Sequence, residues 1–164
     1  MVEQLTLAAD EGELVWLMAL GVRFMIRGAR TDGHFSLVEH PLAPHALGAP
    51  THTHVNEDEY SYILEGHVGV LIGDEEVIAG PGTLVFKPRA VPHAFWNAGD
   101  APARLLEIIS PAGFERYFEE ASAVFATDGP PDFEQLAAIA ARYQLSFDFD
   151  SVPALIAKHD LAFG

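Results

Sequence analysis

The chain has 164 residues, 49% of them hydrophobic and 20% charged, which suits one globular domain with a buried core rather than a disordered chain. Nine basic residues stand against twenty-four acids, and a formal charge of -15 repels phosphate backbones and anionic membrane surfaces, so neither nucleic acid nor a membrane is an expected partner. Cysteine is absent, which excludes disulfides, thiolate nucleophiles and cysteine zinc sites together.

The start, "MVEQLTLAADEGELVW", is acidic and does not read as a secretory signal, and no apolar run is long enough to span a bilayer. A cytoplasmic location is the expectation. Between residues 14 and 110, short segments rich in β-branched and aromatic residues predict strands at "ELVWLMAL", "VRFMIRG", "HFSLVEH", "DEYSYILEG", "HVGVLIG", "EEVIAG", "GTLVFKP", "PHAFWNAG" and "ARLLEIIS". So many short strands, with turn residues between them and no alternating helices, predict a sandwich or barrel. From Pro111 the pattern changes. Phe114, Tyr117, Phe118 and Ala121 recur at helical spacing, as do Phe133, Leu136, Ala137 and Ala140, and "DSVPALIAKHDL" carries a Ser and an early Pro where a helix starts. Residues 1–110 are thus expected to form a β-barrel with N-terminal strands, and 111–164 a helical extension packed on it as a lid or dimer contact. Three helices could suggest a DNA-reading module, but residues 114–164 hold nine acids against Arg116, Arg142 and Lys158.

The stretch "THTHVNEDEYSYILEG" carries the most chemistry. Side chains alternate along a strand, so His52 and His54 share a face and can reach one ion. Glu59 has the wrong parity for an uninterrupted strand, which a turn or bulge through Val55, Asn56 and Glu57 corrects. Local spacing alone leaves Glu57, Asp58 and Glu59 all open as the carboxylate partner. Far downstream, "KPRAVPHAFWN" supplies another imidazole, His93, with Phe95 and Asn97 on its strand face.

These residues resemble the two motifs of the cupin superfamily. The first is similar to H-x-H, four residues, E, six residues, G, in His52, His54, Glu59 and Gly66. The second is similar to G, five residues, P-x-G, two residues, H, three residues, N, in Gly82, Pro88, Ala90, His93 and Asn97. The sequence departs from the pattern at Ala46 and Ala90, where the family has glycine, and neither change removes a ligand. An Ala at position 90 must avoid a positive φ or tolerate strain.

The resemblance implies a mainly β fold, a double-stranded β-helix or jelly-roll barrel with a short C-terminal helical segment, holding one divalent metal on His52, His54, Glu59 and His93. Iron is the expected ion, and three imidazoles with one carboxylate also suit Mn, Ni, Cu or Zn, leaving positions for water, substrate or O₂. The resemblance is to small, single-domain, quercetin-dioxygenase-like cupins, which implies a non-haem dioxygenase of a small aromatic or flavonoid-like substrate with Glu59 doubling as base. A metal-dependent binding protein without turnover, and a metal-assisted isomerase or hydrolase, are the alternatives.

If Glu59 points inward, so do Ser61 and Ile63. With Phe95 and Asn97 they form the expected substrate pocket, mostly apolar with few polar handles. Tyr60, Tyr62 and Leu64 then point outward as a patch that a second subunit or the C-terminal helices should cover, and a homodimer is expected. His34, His40, His45, His67 and His159 read as surface or strand residues, and Asp148 and Asp150 as solvated acids beside a helix start. No G-x-S-x-G, phosphate-cradling loop or G-x-G-x-x-G is present, which excludes serine hydrolases and nucleotide enzymes of those types.

Overall fold

The computed structural model describes residues 6–163. Ten strands come first: β1 (Leu14–Leu17), β2 (Leu20–Ile26), β3 (Ser36–Leu42), β4 (Leu47–His54), β5 (Asp58–Glu65), β6 (Val68–Ile72), β7 (Glu75–Ala79), β8 (Leu84–Lys87), β9 (His93–Asn97) and β10 (Ala103–Ser110). Helices α1 (Glu115–Phe125) and α2 (Phe133–Arg142), strand β11 (Leu145–Asp148) and helix α3 (Val152–His159) follow. A six-stranded sheet in the order β1-β2-β3-β10-β5-β8 faces a five-stranded sheet in the order β11-β4-β9-β6-β7, and the ladders within them are antiparallel. The inward faces carry Val22, Val38, Leu42, Ile63, Val70 and Leu105, all buried. Burying each such side chain contributes roughly 1.5–3 kcal/mol, which is how period-2 patterning selects the sandwich.

Two local readings of the sequence are corrected, and the strand expected at His52 and His54 is longer than its local pattern suggests. "ELVWLMAL" is a hairpin and not one strand, because Met18 at φ 54 turns the chain so that Leu17 faces Leu20. The segment Leu47–His54 is a strand although Gly48 and Pro50 interrupt its pattern, since it is flanked by β9 and β11 and buried almost throughout. Residues 145–148 are not helical: Leu145 and Phe147 alternate inward in β11, which pairs with β4 so that Phe147 faces His52.

The two longer helices present apolar stripes to the barrel mouth. Tyr117, Phe118, Ala121 and Val124 are the buried face of α1, which packs against β1. Asp132 caps α2 by accepting from the Gln135 N–H at 3.0 Å, and the Tyr143 hydroxyl donates to Glu120 at 2.6 Å, tying α2 back to α1. These helices do not cover the outward face of β5. Tyr62 there is 43% exposed, with Leu84 at 60% and Phe86 at 48% beside it on β8, while Tyr60 and Leu64 are half-buried.

Candidate metal centre

Four side chains converge between the two sheets. His52 and His54 come from β4, His93 from β9, where it is the register partner of His52, and Glu59 from β5 in the opposite sheet. Each offers a ligand atom, and the four atoms lie within 4.8 Å of one another with all four residues buried. The bend at Val55 and Asn56, before β5 begins at Asp58, supplies the change of parity that turns Glu59 inward. Gly66 closes β5 at φ +74, where a Cβ would lie 2.7 Å from that of Ala103. Ala90 takes φ 62, so alanine tolerates the left-handed conformation that the family's glycine would relieve, and its N–H donates to the His54 carbonyl at 2.7 Å.

The hydrogen bonds set the tautomers that a metal requires. His52 Nδ1 lies 2.8 Å from the Pro50 carbonyl and His93 Nδ1 3.0 Å from the Val91 carbonyl. A carbonyl only accepts, so each Nδ1 carries the hydrogen and each Nε2 keeps a lone pair. Burial lowers the proton affinity of both rings. A neutral His93 then turns its Nε2 lone pair toward Glu59 Oε2 at 3.2 Å, an arrangement that a cation between them would resolve. His54 points the same way: both its nitrogens are buried without hydrogen bonds, Nε2 at 3.3 Å from Glu59 Oε1 and Nδ1 at 3.5 Å from Glu57 Oε2. The donor set therefore fits a divalent ion, and Glu57, one of the carboxylates that local spacing left open, is buried beside His54. Asp58 by contrast is outward, held by Arg89 at 2.8 Å.

Sequence reasoning missed two buried charges next to this cluster. Lys87 Nζ donates to Glu59 Oε2 at 2.8 Å and to Glu107 Oε2 at 2.9 Å, and the Ser61 hydroxyl donates to the same Glu107 oxygen at 2.8 Å. Parity could have found them, since Lys87 alternates with buried Val85, and Glu107 with buried Leu105 and Ile109. Two carboxylates share one ammonium. Burial opposes the charge on Glu59, yet the Lys87 ammonium holds its carboxyl well below the usual range. Burial pushes Glu107 up to about 7 against the pull of Lys87. Burial alone would depress Lys87, but Glu107 and Glu59 raise it.

The cluster opens into a cavity of about 640 Å³ whose wall includes His52, His54, Glu59 and Glu107. Phe95, Phe114, Tyr117, Phe118 and Phe147 line it from the barrel, α1 and β11. Of the expected pocket residues, Phe95 faces this space and the others are placed elsewhere. Ile63 is sealed in the core, Ser61 is committed to Glu107, and Asn97 donates to the carbonyls of Leu42, Ala43 and Ala101, knitting loops together. The aromatic lining from α1 and β11 carried no sequence signal beyond helical or strand spacing.

The family model described as "Cupin domain" matches residues 39–109, the stretch from β3 to β10 that holds all four ligand candidates. Residues 39–109 are a cupin domain. Tetracenomycin polyketide synthase protein TcmJ of Streptomyces glaucescens is 37% identical over 81 residues, covering 49% of this chain and 52% of that protein. The chain thus spans about half the length of this curated relative. Among solved structures, KdgF from Halomonas sp. superposes with a TM-score of 0.61 at 14% identity, over 70% of this chain and 99% of that one. A predicted oxalate decarboxylase from Thermotoga maritima gives 0.59 at 19%, over 65% and 99%. Identities this low establish the shared cupin fold and nothing about chemistry. Outside residues 39–109, β1, β2, α1, α2 and β11 contribute Leu17, Leu20, Tyr117, Leu136 and Phe147 to the cavity wall. Among the described residues no helix is long and apolar enough to cross a membrane.

Proposed function

We propose that the protein is a metal-dependent cupin enzyme, a non-haem dioxygenase that acts on a polycyclic aromatic or flavonoid-like substrate. The observation that carries this reading is the continuity of the four-residue cluster with a large, aromatic-walled cavity. Cavities of this size and lining suit drug-sized apolar ligands oriented by a few polar groups. The name of the curated relative, a polyketide synthase protein, supports a polyketide-derived substrate rich in enol and phenol oxygens.

A divalent ion on His52, His54, Glu59 and His93, iron first among those the donors suit, would supply Lewis acidity and a redox centre through which the electrons of the substrate could pass to O₂. The chain itself would exclude water with the phenylalanine wall and stack the substrate against it. Glu59 is a poor base while Lys87 holds it ionised. The carboxyl whose proton affinity suits neutral pH is Glu107, on the wall of the same cavity. That placement also favours a second reading, a metal-assisted isomerisation of the same substrate class by proton transfer without O₂.

The deciding experiment is elemental analysis of protein purified without added metal, then O₂ uptake with reconstituted Fe(II) over flavonols, catechols, β-diketones and hydroxylated polycyclic aromatics. Consumption of O₂ that disappears in His52→Ala supports the dioxygenase. Product formed equally under nitrogen supports the isomerase, and full metal loading with no turnover supports a binding protein.

A further inference from the structure

The cavity wall carries a polar group that neither the metal cluster nor the Lys87 network uses. His40, on β3, is 2% exposed and lines the cavity. Its Nδ1 lies 2.8 Å from the Gly21 carbonyl on the neighbouring strand. The carbonyl can only accept, so Nδ1 holds the hydrogen. Burial keeps the ring neutral at physiological pH, its proton affinity lowered to about 4. A neutral imidazole with its hydrogen on Nδ1 has a lone pair on Nε2, and that atom has no hydrogen-bond partner among the described residues. The ring cannot easily turn away. Phe95 packs against it at 5.9 Å between centroids, tilted 38°, and Phe118 meets it edge-on at 5.6 Å. Gly21 is itself pinned, since even a Cβ there would lie 2.5 Å from the Pro41 ring.

An acceptor held rigidly in an apolar wall is costly when unpaired and selective when paired, because a ligand lacking the matching donor leaves it bare. A metal is not its partner, as His40 is outside the four-residue cluster. We propose that His40 is a specificity-determining residue whose Nε2 accepts a hydrogen bond from one hydroxyl of the bound aromatic ligand, at a point of the cavity other than the metal centre. This rests on the cavity being the substrate pocket of the proposed function.

The test is calorimetric titration of metal-loaded protein under nitrogen with a polyhydroxylated flavonol and the analogues in which each hydroxyl in turn is replaced by hydrogen. Wild type should lose about tenfold in affinity on removal of one particular hydroxyl, and His40→Phe should lose less than twofold on that removal. Should the phenylalanine variant not fold, His40→Asn keeps a donor for the Gly21 carbonyl and nothing at the Nε2 position, and is expected to show the same loss of discrimination. Metal content of either variant should match wild type. Equal sensitivity to every hydroxyl in wild type and variant overturns the role of His40 alone. Failure of wild type to bind any of the flavonols overturns the substrate class as well, and with it this proposal.

Discussion

Lys87 stands directly opposite Glu59 across the β5–β8 ladder, its Nζ 2.8 Å from Glu59 Oε2, with both side chains shielded from solvent. A candidate metal ligand is therefore oriented by an ammonium that also holds Glu107. Removing the cation leaves two carboxylates buried without a counter-charge, which typically costs about 3–5 kcal/mol. Lys87→Met should destabilise the metal-free protein by that order in urea unfolding. Adding Glu107→Gln should recover part of the loss, since the two residues are coupled, and strictly additive effects would show that they are not.

Metal binding should stabilise the fold, because the site brings together residues from both sheets that the unfolded chain does not hold in place. At a free metal concentration a hundredfold above Kd the gain is about 2.7 kcal/mol. Differential scanning with and without Fe(II), Mn(II) or Zn(II) should show a rise in Tm for wild type. His54→Ala and His93→Ala should show little or none, and Asp58→Ala, which alters an outward acid, should keep the full shift.

Acid should destabilise the metal-free protein below pH 6.5 through His40. The unfolded imidazole takes up a proton near 6.5 and the folded one only near 4, so between these values the unfolded chain binds more protons and stability rises with pH. The contribution is complete above 6.5 and is lost as pH falls toward 4, on the order of 3 kcal/mol in all. Burial gives His52 and His93 the same sign, while Glu107, raised from 4.5 to about 7, holds its proton in the folded state and acts in the opposite sense over that range. Urea midpoints at a series of pH values should therefore fall less steeply with acid in His40→Asn than in wild type.

Ala90 sits at φ 62, a conformation that costs a β-carbon roughly 1–2 kcal/mol. Ala90→Gly relieves this and gives back part of it as backbone entropy, so a net gain of about 0.5 kcal/mol is expected from chemical denaturation. A loss instead would mean that the methyl group makes contacts worth more than the strain.

The exposed apolar face formed by Tyr62, Leu84 and Phe86 is proposed as the contact of a homodimer, the arrangement that would remove it from water. Sedimentation velocity should give twice the chain mass for wild type and the chain mass for Tyr62→Lys/Phe86→Lys. A monomeric wild type at micromolar concentration would leave that face uncovered and the homodimer wrong.

The donor set was legible because the two motifs that resemble the cupin pattern carry it in the primary structure. Two imidazoles must share one strand face, the carboxylate must be brought back into phase by a turn, and the distant histidine must follow a constrained Pro-containing loop. The first two features act over a few residues and the third came from the family pattern, so His52, His54, Glu59 and His93 could be named from spacing and family pattern together. The cupin fold followed from the same motifs and from the period-2 texture around them.

The cavity was not legible, for a physical reason. Parity says which side chains point inward but not whether the inward space is packed or empty. Ser61, Ile63 and Asn97 all point inward and end in a polar network, the core and a loop anchor. The wall is supplied by α1, α2 and β11, whose register against the barrel depends on long-range packing. Leu47–His54 became a strand only because β9 and β11 flank it, overriding the local preferences of Gly48 and Pro50. Spacing and the family pattern together thus named the side chains that could hold an ion. Tertiary structure decided that Lys87 and Glu107 would lie beside the four-residue cluster and that His40 would line the cavity, because which inward side chains meet is a property of the assembled sheets.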